Sequence, residues 1–487
     1  MTAVKWSSMA EIIAKLIVPI TSMVIARILS PEAFGVIATV TMIISFADML
    51  SDSGFQKYIV QFEFPTNKKM LQSIAVAFWT NLGISFLIWA MIGFFSEDIA
   101  TWVGNPGLGS VIAVSGISLP LTSFSSIQTA IYRRHLDFKT LFYVRIIGVC
   151  VPLVITIPLA LLGFSYWSLI IGTIFGNLVN AIILTVKSIW KPTLYYNFSV
   201  LKEMLSFSIG SLIEAIFSWF TSYIGTFIVS SAMTVYYLGL YKTTITTVNG
   251  IMAIVTVSTT SVLFSSLSRL QNDSIAFERF YLKFIKGVAF FILPIGACIF
   301  LYKELITSIL LGNQWNEAIP FVGIYGLMSS VTLVLAQYCS EFYRAKGRPM
   351  ISVWAQVFHL LFLIPILIIS SKAGFLALAY ATSFIKIQQI IVHLCLMYFI
   401  FHIHPIILIR NVWGALLGST AMVGFALILN RMNSGSTWSV ISVILSLTFY
   451  FVLMYIVPST RNDISVLLNY IKFPGKDRIL VLFNKKR

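Results

Sequence analysis

Apolar runs of membrane-crossing length recur fourteen times in this chain. They lie near residues 9 to 29, 34 to 60, 73 to 95, 107 to 130, 141 to 162, 167 to 187, 205 to 230, 236 to 267, 284 to 302, 318 to 341, 351 to 371, 374 to 399, 412 to 430 and 437 to 457. About 20 such residues span a bilayer core, where a chain must satisfy its own backbone polar groups. The expected fold is an all-α integral membrane protein of about fourteen helices. With 58% hydrophobic and 10% charged residues, 487 residues carry too little polar surface to cover a soluble globule. No A-x-A cleavage pattern follows the first run, so it reads as a retained helix.

A net charge of +16 would point to nucleic acid in a soluble protein; here its distribution decides. Lys68 and Lys69, Arg133, Arg134 and Lys139, Lys187, Lys191 and Lys202, Arg269, Arg279, Lys283 and Lys286, Arg344, Lys346 and Arg348, and Arg410 fall in alternate loops or at their helix ends, as do Lys5 and the basic tail. The other loops hold only Arg27, Lys242, Lys303, Lys372 and Arg431. Positive charge marks the cytoplasmic side, so both termini are expected there, with an even number of spans. Trp102, Trp167, Trp315 and Trp438 then fall at outer interfaces and Trp6, Trp190, Trp354 and Trp413 at inner ones.

No loop is long enough for a domain of its own. The largest hydrophilic pieces are Ser188 to Met204, Ser268 to Lys283 and the tail Pro458 to Arg487. A Walker A sequence is absent, as are paired carboxylates or a metal motif in a loop, which argues against an ATPase or a soluble-type glycosyltransferase. Cys150, Cys298, Cys339 and Cys395 lack metal-like spacing and read as small buried hydrophobes; His359 and His393 read as hydrogen-bonded packing residues.

Charge inside the spans carries the functional signal. The first run holds Glu11, Lys15 and Arg27 around Pro19, and the second holds Asp48, Asp52 and Lys57. Each ionisable group near the bilayer centre costs at least ~2.5 to 3.5 kcal/mol and survives where it faces protein or a wet cavity. The first hairpin is therefore expected to wall a polar cavity. Lys386 lies about twelve residues, ~18 Å, into its span, too deep to snorkel; its bland alternative is pairing with an acid such as Glu214. Arg145 and Lys57 are nearer helix ends, and Lys15 has Glu11 four residues before it, the spacing of a helical ion pair.

An internal repeat organises the whole. Ser8-Met9-Ala10-Glu11 returns as Ser211-Leu212-Ile213-Glu214, Gly35 as Gly239, Tyr132-Arg133 as Tyr343-Arg344 and Gly163-Phe164 as Gly374-Phe375. Six helices separate the copies, so the halves share topology, as in parallel-repeat transporters with a midplane site. The expected layout is a six-helix lobe at 1–187, a cytoplasmic linker at 188–204, a second six-helix lobe at 205–400 around a central cavity, two further helices at 401–457 and a basic tail at 458–487.

The stretch Arg27-Ile28-Leu29-Ser30-Pro31-Glu32-Ala33-Phe34-Gly35, with Asp52-Ser53-Gly54-Phe55, Gln61, Tyr132-Arg133-Arg134-His135-Leu136-Asp137-Phe138-Lys139 and the run Ala160 to Leu169, resembles the bacterial polysaccharide exporters. These are lipid-linked oligosaccharide (O-antigen type) flippases of the multidrug/oligosaccharidyl-lipid/polysaccharide exporter superfamily. The resemblance covers essentially the whole chain. It implies a bacterial inner-membrane transporter, not an enzyme, that moves an undecaprenyl-diphosphate-linked sugar repeat by alternating access for lipopolysaccharide or capsule synthesis. Membrane lipids are implied partners, with a polysaccharide polymerase and chain-length machinery beyond them, and nucleic acid is not.

Such a cargo needs cations to replace the hydration of its diphosphate. The substrate-binding candidates are Lys386, Arg145, Lys15 and Lys57. Glu214, Asp48 and Glu11 are the ion-coupling candidates, for H+ or Na+; no other cofactor is expected. A multidrug or cation antiporter would call for an acid-dominated cavity, which the cations here disfavour, and a peptidoglycan-precursor flippase remains a near variant.

Overall fold

The computed structural model of the chain describes residues 17, 19–52, 54–188, 190–433 and 435–457. Among them the secondary structure is helical throughout. Twelve helices are long and apolar enough to cross a membrane, and a bent pair, Val235–Val257 with Val262–Arg269, makes up to thirteen. These match the second to fourteenth expected spans. Of the first, residues 19–26 are helical and include Pro19, while Glu11 and Lys15 lie outside the described residues. The protein is a multi-pass membrane protein.

The chain clusters into two compact units, Met1–Thr243 and Thr244–Arg487. The first contains α1 (Pro31–Asp52), α2 (Phe55–Gln61), α3 (Asn67–Phe94), α4 (Ser96–Trp102), α5 (Gly109–Ser115), α6 (Ser118–Arg134), α7 (Phe138–Leu161), α8 (Tyr166–Lys187), α9 (Phe198–Ala232) and the start of α10 (Val235–Arg269). The second unit holds the rest of α10, then α11 (Ser274–Leu301), α12 (Lys303–Leu310), α13 (Ile319–Thr332), α14 (Tyr338–Ala345), α15 (Met350–Lys372), α16 (Phe375–Phe401), α17 (Pro405–Met432) and α18 (Ser436–Ile456).

Two local differences from the expected spans have chemical causes. The second run does not continue unbroken to residue 60: Gly54 takes φ +80°, a left-handed conformation that costs glycine little, and α1 gives way to α2 there. Conversely, the hydrophilic stretch expected to loop from Ser268 to Lys283 is mostly helix. Asp273 accepts from the backbone N–H groups of Ile275 (3.1 Å) and Ala276 (3.0 Å), and this N-cap starts α11 ten residues early. Arg279 and Lys283 therefore sit on a helix.

The first unit has its core where α2, α3 and α6 meet: Phe55, Tyr58 and Ile59 pack on Ile74 to Phe78 and on Ile127, Ala130 and Ile131. Trp190 and Met204 join that cluster, and Trp79 Nε1 donates to the Thr193 carbonyl at 2.8 Å. The stretch expected to be an inter-lobe linker is fastened to α3, and α9 belongs by packing to the first unit. A second cluster joins Val36, Val40 and Ala47 of α1 to Ile112 of α5, Leu119 of α6 and Ile170 of α8.

In the second unit α11 is central. The phenol of Tyr302, just past its end, bonds Ser442 (2.7 Å) and Ser446 (3.0 Å) of α18, and Tyr450 donates to the Phe290 carbonyl at 2.9 Å. The last two helices are therefore built into this unit. Between α13 and α14 lies a π-helical turn, Leu333–Gln337, a feature that reorients the side chains following it; the next residue, Tyr338, reaches Thr259 Oγ1 at 2.7 Å.

Candidate functional site

In the first unit, polar side chains of four helices converge. Asp48 and Asp52 are four residues apart on α1 and so share one face. With Gln56 of α2, Asn81 of α3, and Thr122 and Arg133 of α6 they line a cavity of about 230 Å³. Thr122 Oγ1 lies 2.6 Å from Asp48 Oδ1, a short contact of the kind made to a carboxylate. Asn81 is fully buried and donates from Nδ2 to Ser126 Oγ at 2.7 Å. Polar residues cluster here because α6 carries hydroxyls at 122, 123, 125, 126 and 129 on the surface it turns toward α1 and α3.

Lys57 and Glu214, from opposite classes of candidate, are brought together. Lys57 Nζ of α2 is 2.6 Å from Glu214 Oε2 of α9, with the two side chains 46% and 74% exposed. Glu214, the acid that the bland alternative for Lys386 offered as its partner, thus lies against Lys57. In the second unit Lys386 of α16 sits 4.4 Å from the centroid of the Tyr325 ring on α13, a cation–π contact. Two residues further along, Gln388 Oε1 meets His359 Nδ1 at 3.0 Å. Arg145 is exposed on α7, with no ion pair among the described residues.

Three residues were missed by the sequence reading. Lys242, grouped with outer loops, is the eighth residue of α10; its Nζ lies 5.2 Å from the Tyr223 ring and 3.4 Å from Thr226 Oγ1. A hydropathy window centred on 236 to 267 already contained it. Arg134, read as an orientation anchor, donates from Nη1 to the carbonyls of Ile59 (2.7 Å) and Phe62 (2.8 Å) and stacks over Phe64 at 4.8 Å, closing the end of α2. Asn105, in a loop, donates to Ser230 Oγ (2.7 Å) and Thr39 Oγ1 (3.2 Å), and nothing in the sequence signals that role.

Close packing accompanies this network. Gly35 of α1 faces Val235, and Gly239 of α10 faces Pro31: a Cβ at either glycine would meet the carbonyl oxygen of the residue opposite. The two glycines are repeat mates 204 residues apart, and so are Pro31 and Val235. The contact is therefore reciprocal, a local pseudo-two-fold approach of two helices through small residues.

Residues 24–320 match the family described as polysaccharide biosynthesis protein. The chain is 22% identical over 408 residues to the lipopolysaccharide biosynthesis protein WzxC of Escherichia coli K12, covering 81% of this chain and 79% of that protein. It is also 22% identical over 335 residues to the succinoglycan biosynthesis transport protein ExoT of Rhizobium meliloti, covering 69% and 67%. Among solved structures, lipid II flippase MurJ in an inward closed conformation superposes with a TM-score of 0.74 over 92% of this chain and 98% of that one, at 16% identity. An inward-facing multidrug resistance MATE transporter of the MOP superfamily gives 0.59 over 84% and 95%, at 14% identity. These two likenesses concern the fold alone. Because the family match takes in well over half of the residues, along the stretch that carries α1 to α12, this chain belongs to the polysaccharide biosynthesis protein family.

Proposed function

We propose that the protein is a flippase that carries an undecaprenyl-diphosphate-linked oligosaccharide repeat unit across the bacterial inner membrane by ion-coupled alternating access, for surface polysaccharide synthesis. The observation that carries this reading is the placement of cations inside membrane-length helices: Lys386 lies 4.4 Å from the centroid of the Tyr325 ring, and Lys242 lies 5.2 Å from that of Tyr223. A cation–π contact leaves ammonium N–H groups able to donate to phosphate oxygens. The kinship to proteins named for lipopolysaccharide and succinoglycan synthesis supports the same cargo class.

In this reading Lys386, Lys57, Arg145 and Lys15 meet the diphosphate, and Glu214, Asp48 and Glu11 serve coupling. The two repeated lobes rock about the substrate, both termini are cytoplasmic, and polymerase and chain-length proteins act on the delivered unit. Transport without catalysis is all that the pathway step requires.

Deleting the encoding gene is expected to leave complete diphosphate-linked repeat units on the cytoplasmic leaflet, and the intact gene to restore export. Lys386→Ala, at matched expression, should lower surface polysaccharide at least tenfold, about 1.4 kcal/mol of lost transition-state stabilisation or more. Normal surface polysaccharide with altered drug tolerance in the deletion strain would instead favour an antiporter.

The Lys57–Glu214 pair separates structure from transport. An exposed ion pair contributes about 0 to 1 kcal/mol, so Lys57→Ala and Glu214→Gln are expected to leave the thermal midpoint of the purified protein almost unchanged while reducing export. A large drop in midpoint would assign the pair to folding.

A further inference from the structure

The polar cavity between α1, α3 and α6 contains more than paired carboxylates. Asp52 Oδ1, Asn81 Oδ1 and Ser123 Oγ have no hydrogen-bond partner. Asn81 is 0% exposed and Ser123 2%, and both line the cavity with the two aspartates. Roughly nine in ten buried polar groups are paired in folded proteins, so three orphaned oxygens around one small volume point to an occupant.

The orientation of Asn81 is set by its neighbour. Ser126 Oγ donates to the Ser123 carbonyl at 3.0 Å and has no second proton to give, so at 2.7 Å it must accept from the Asn81 amide nitrogen. The amide oxygen is left facing the cavity. Thr122 Oγ1, 2.6 Å from Asp48 Oδ1, holds that carboxylate in place.

The orphaned atoms are all oxygens, and the cavity wall offers further hydroxyls without sulfur or imidazole. That donor set suits a hard cation. Two carboxylates set against the guanidinium of Arg133 on the same wall leave one net negative charge, which suits a monovalent ion. We propose that this cavity is a Na+ site, with Asp48 and Asp52 supplying charge, Asn81 Oδ1 and Ser123 Oγ completing the ligands, and Arg133 holding the site to a single positive charge. A bound ion would tie α1, α3 and α6 together. Its use as the coupling ion rests on the transport reading above; its binding does not.

The test uses the full-length purified protein without any lipid-linked substrate. Its thermal midpoint and its binding of radioactive Na+ are measured in NaCl, KCl and choline chloride at equal ionic strength. Na+ is expected to raise the midpoint saturably, with K+ and choline giving no such rise. Asp48→Asn and Asn81→Ala should raise the half-saturating Na+ concentration at least about tenfold. Ser123→Ala, which breaks no hydrogen bond of its hydroxyl, should raise it about threefold, a shift of ~0.6 kcal/mol, and serves where the other variants fold poorly. Asp98→Asn, on the exposed face of α4, should leave it unchanged. Equal midpoints in the three salts, or an unchanged half-saturation in the folded variants, would overturn the site and leave the cavity to water. Na+ binding that persists while the deletion strain exports normally would reject the transport reading alone; export that fails on deletion while Na+ does not bind would reject the site alone.

Discussion

Gly35→Leu and Gly239→Leu are each expected to abolish surface polysaccharide export and to lower the yield of folded protein sharply. At Gly35 a Cβ would stand 2.7 Å from Val235 Cγ1 and 2.8 Å from the Val235 carbonyl carbon; at Gly239 it would stand 2.7 Å from the Pro31 carbonyl carbon and 3.0 Å from the Gly35 nitrogen. Most of these neighbours are backbone atoms, which cannot rotate aside, so α1 and α10 would have to separate. Overpacking a tight contact costs about 1 to 3 kcal/mol and sometimes more, and a branched side chain against backbone belongs at the upper end. Even Gly35→Ala should be strongly deleterious. Gly83→Ala, where a Cβ meets nothing within 4 Å, is the control: it should be neutral or slightly stabilising, since alanine is favoured over glycine in a helix by about 1 kcal/mol. Thermal midpoints of the purified variants and surface polysaccharide in the complemented deletion strain check both. A Gly35→Ala protein as stable and active as the parent would refute the close contact.

Asn105→Leu is expected to destabilise the first unit by about 1 to 3 kcal/mol. The side chain is nearly isosteric but loses the donors that reach Ser230 Oγ, Thr39 Oγ1 and the Val103 carbonyl at 2.7, 3.2 and 3.3 Å. The loss is bounded because both hydroxyls keep other acceptors: Ser230 donates to the Val103 carbonyl at 2.7 Å and Thr39 to the Gly35 carbonyl at 3.2 Å. Ser230→Ala should cost less alone, and the double variant should fall short of the sum by about 0.5 to 3 kcal/mol, as for groups sharing one network. Thermal midpoints of the two single variants and the double variant measure the coupling; strict additivity would mean that the asparagine and the serine act separately. Thr39 is one helical turn from Gly35, so the network and the glycine contact reinforce the same meeting of α1, α9 and α10.

Different kinds of information account for what could be read early and what could not. Hydropathy over a window of about 20 residues is a one-dimensional property, and it delimits the spans of α7, α8, α15, α16 and α18 to within a few residues. The repeat was also legible, since Gly35 and Gly239 stand at equivalent positions in two copies of one pattern. Their direct contact was not, because a repeat says which positions are equivalent and not which ones touch. Local backbone chemistry moved the ends: Gly54 and Asp273 act within a few residues of themselves, and hydropathy averages over such single positions.

The candidate site divides along the same line. Bilayer energetics make any Lys, Asp or Glu within an apolar run conspicuous, which is why Asp48, Lys57, Glu214 and Lys386 stand out from the sequence. Asn81, Asn105 and Ser123 carry no such cost and do not. Pairing depends on helices that meet through packing: Lys57 finds Glu214 157 residues away, and Arg134 closes the end of α2 across 75 residues. Chain order thus dictates a many-helix membrane protein with costly charges in its spans, because transfer free energy is set residue by residue. Which of those charges neutralise one another, and which oxygens are left facing a cavity, is decided only when separate helices are brought within hydrogen-bonding distance, since Coulomb and hydrogen-bond energies depend on separation in space.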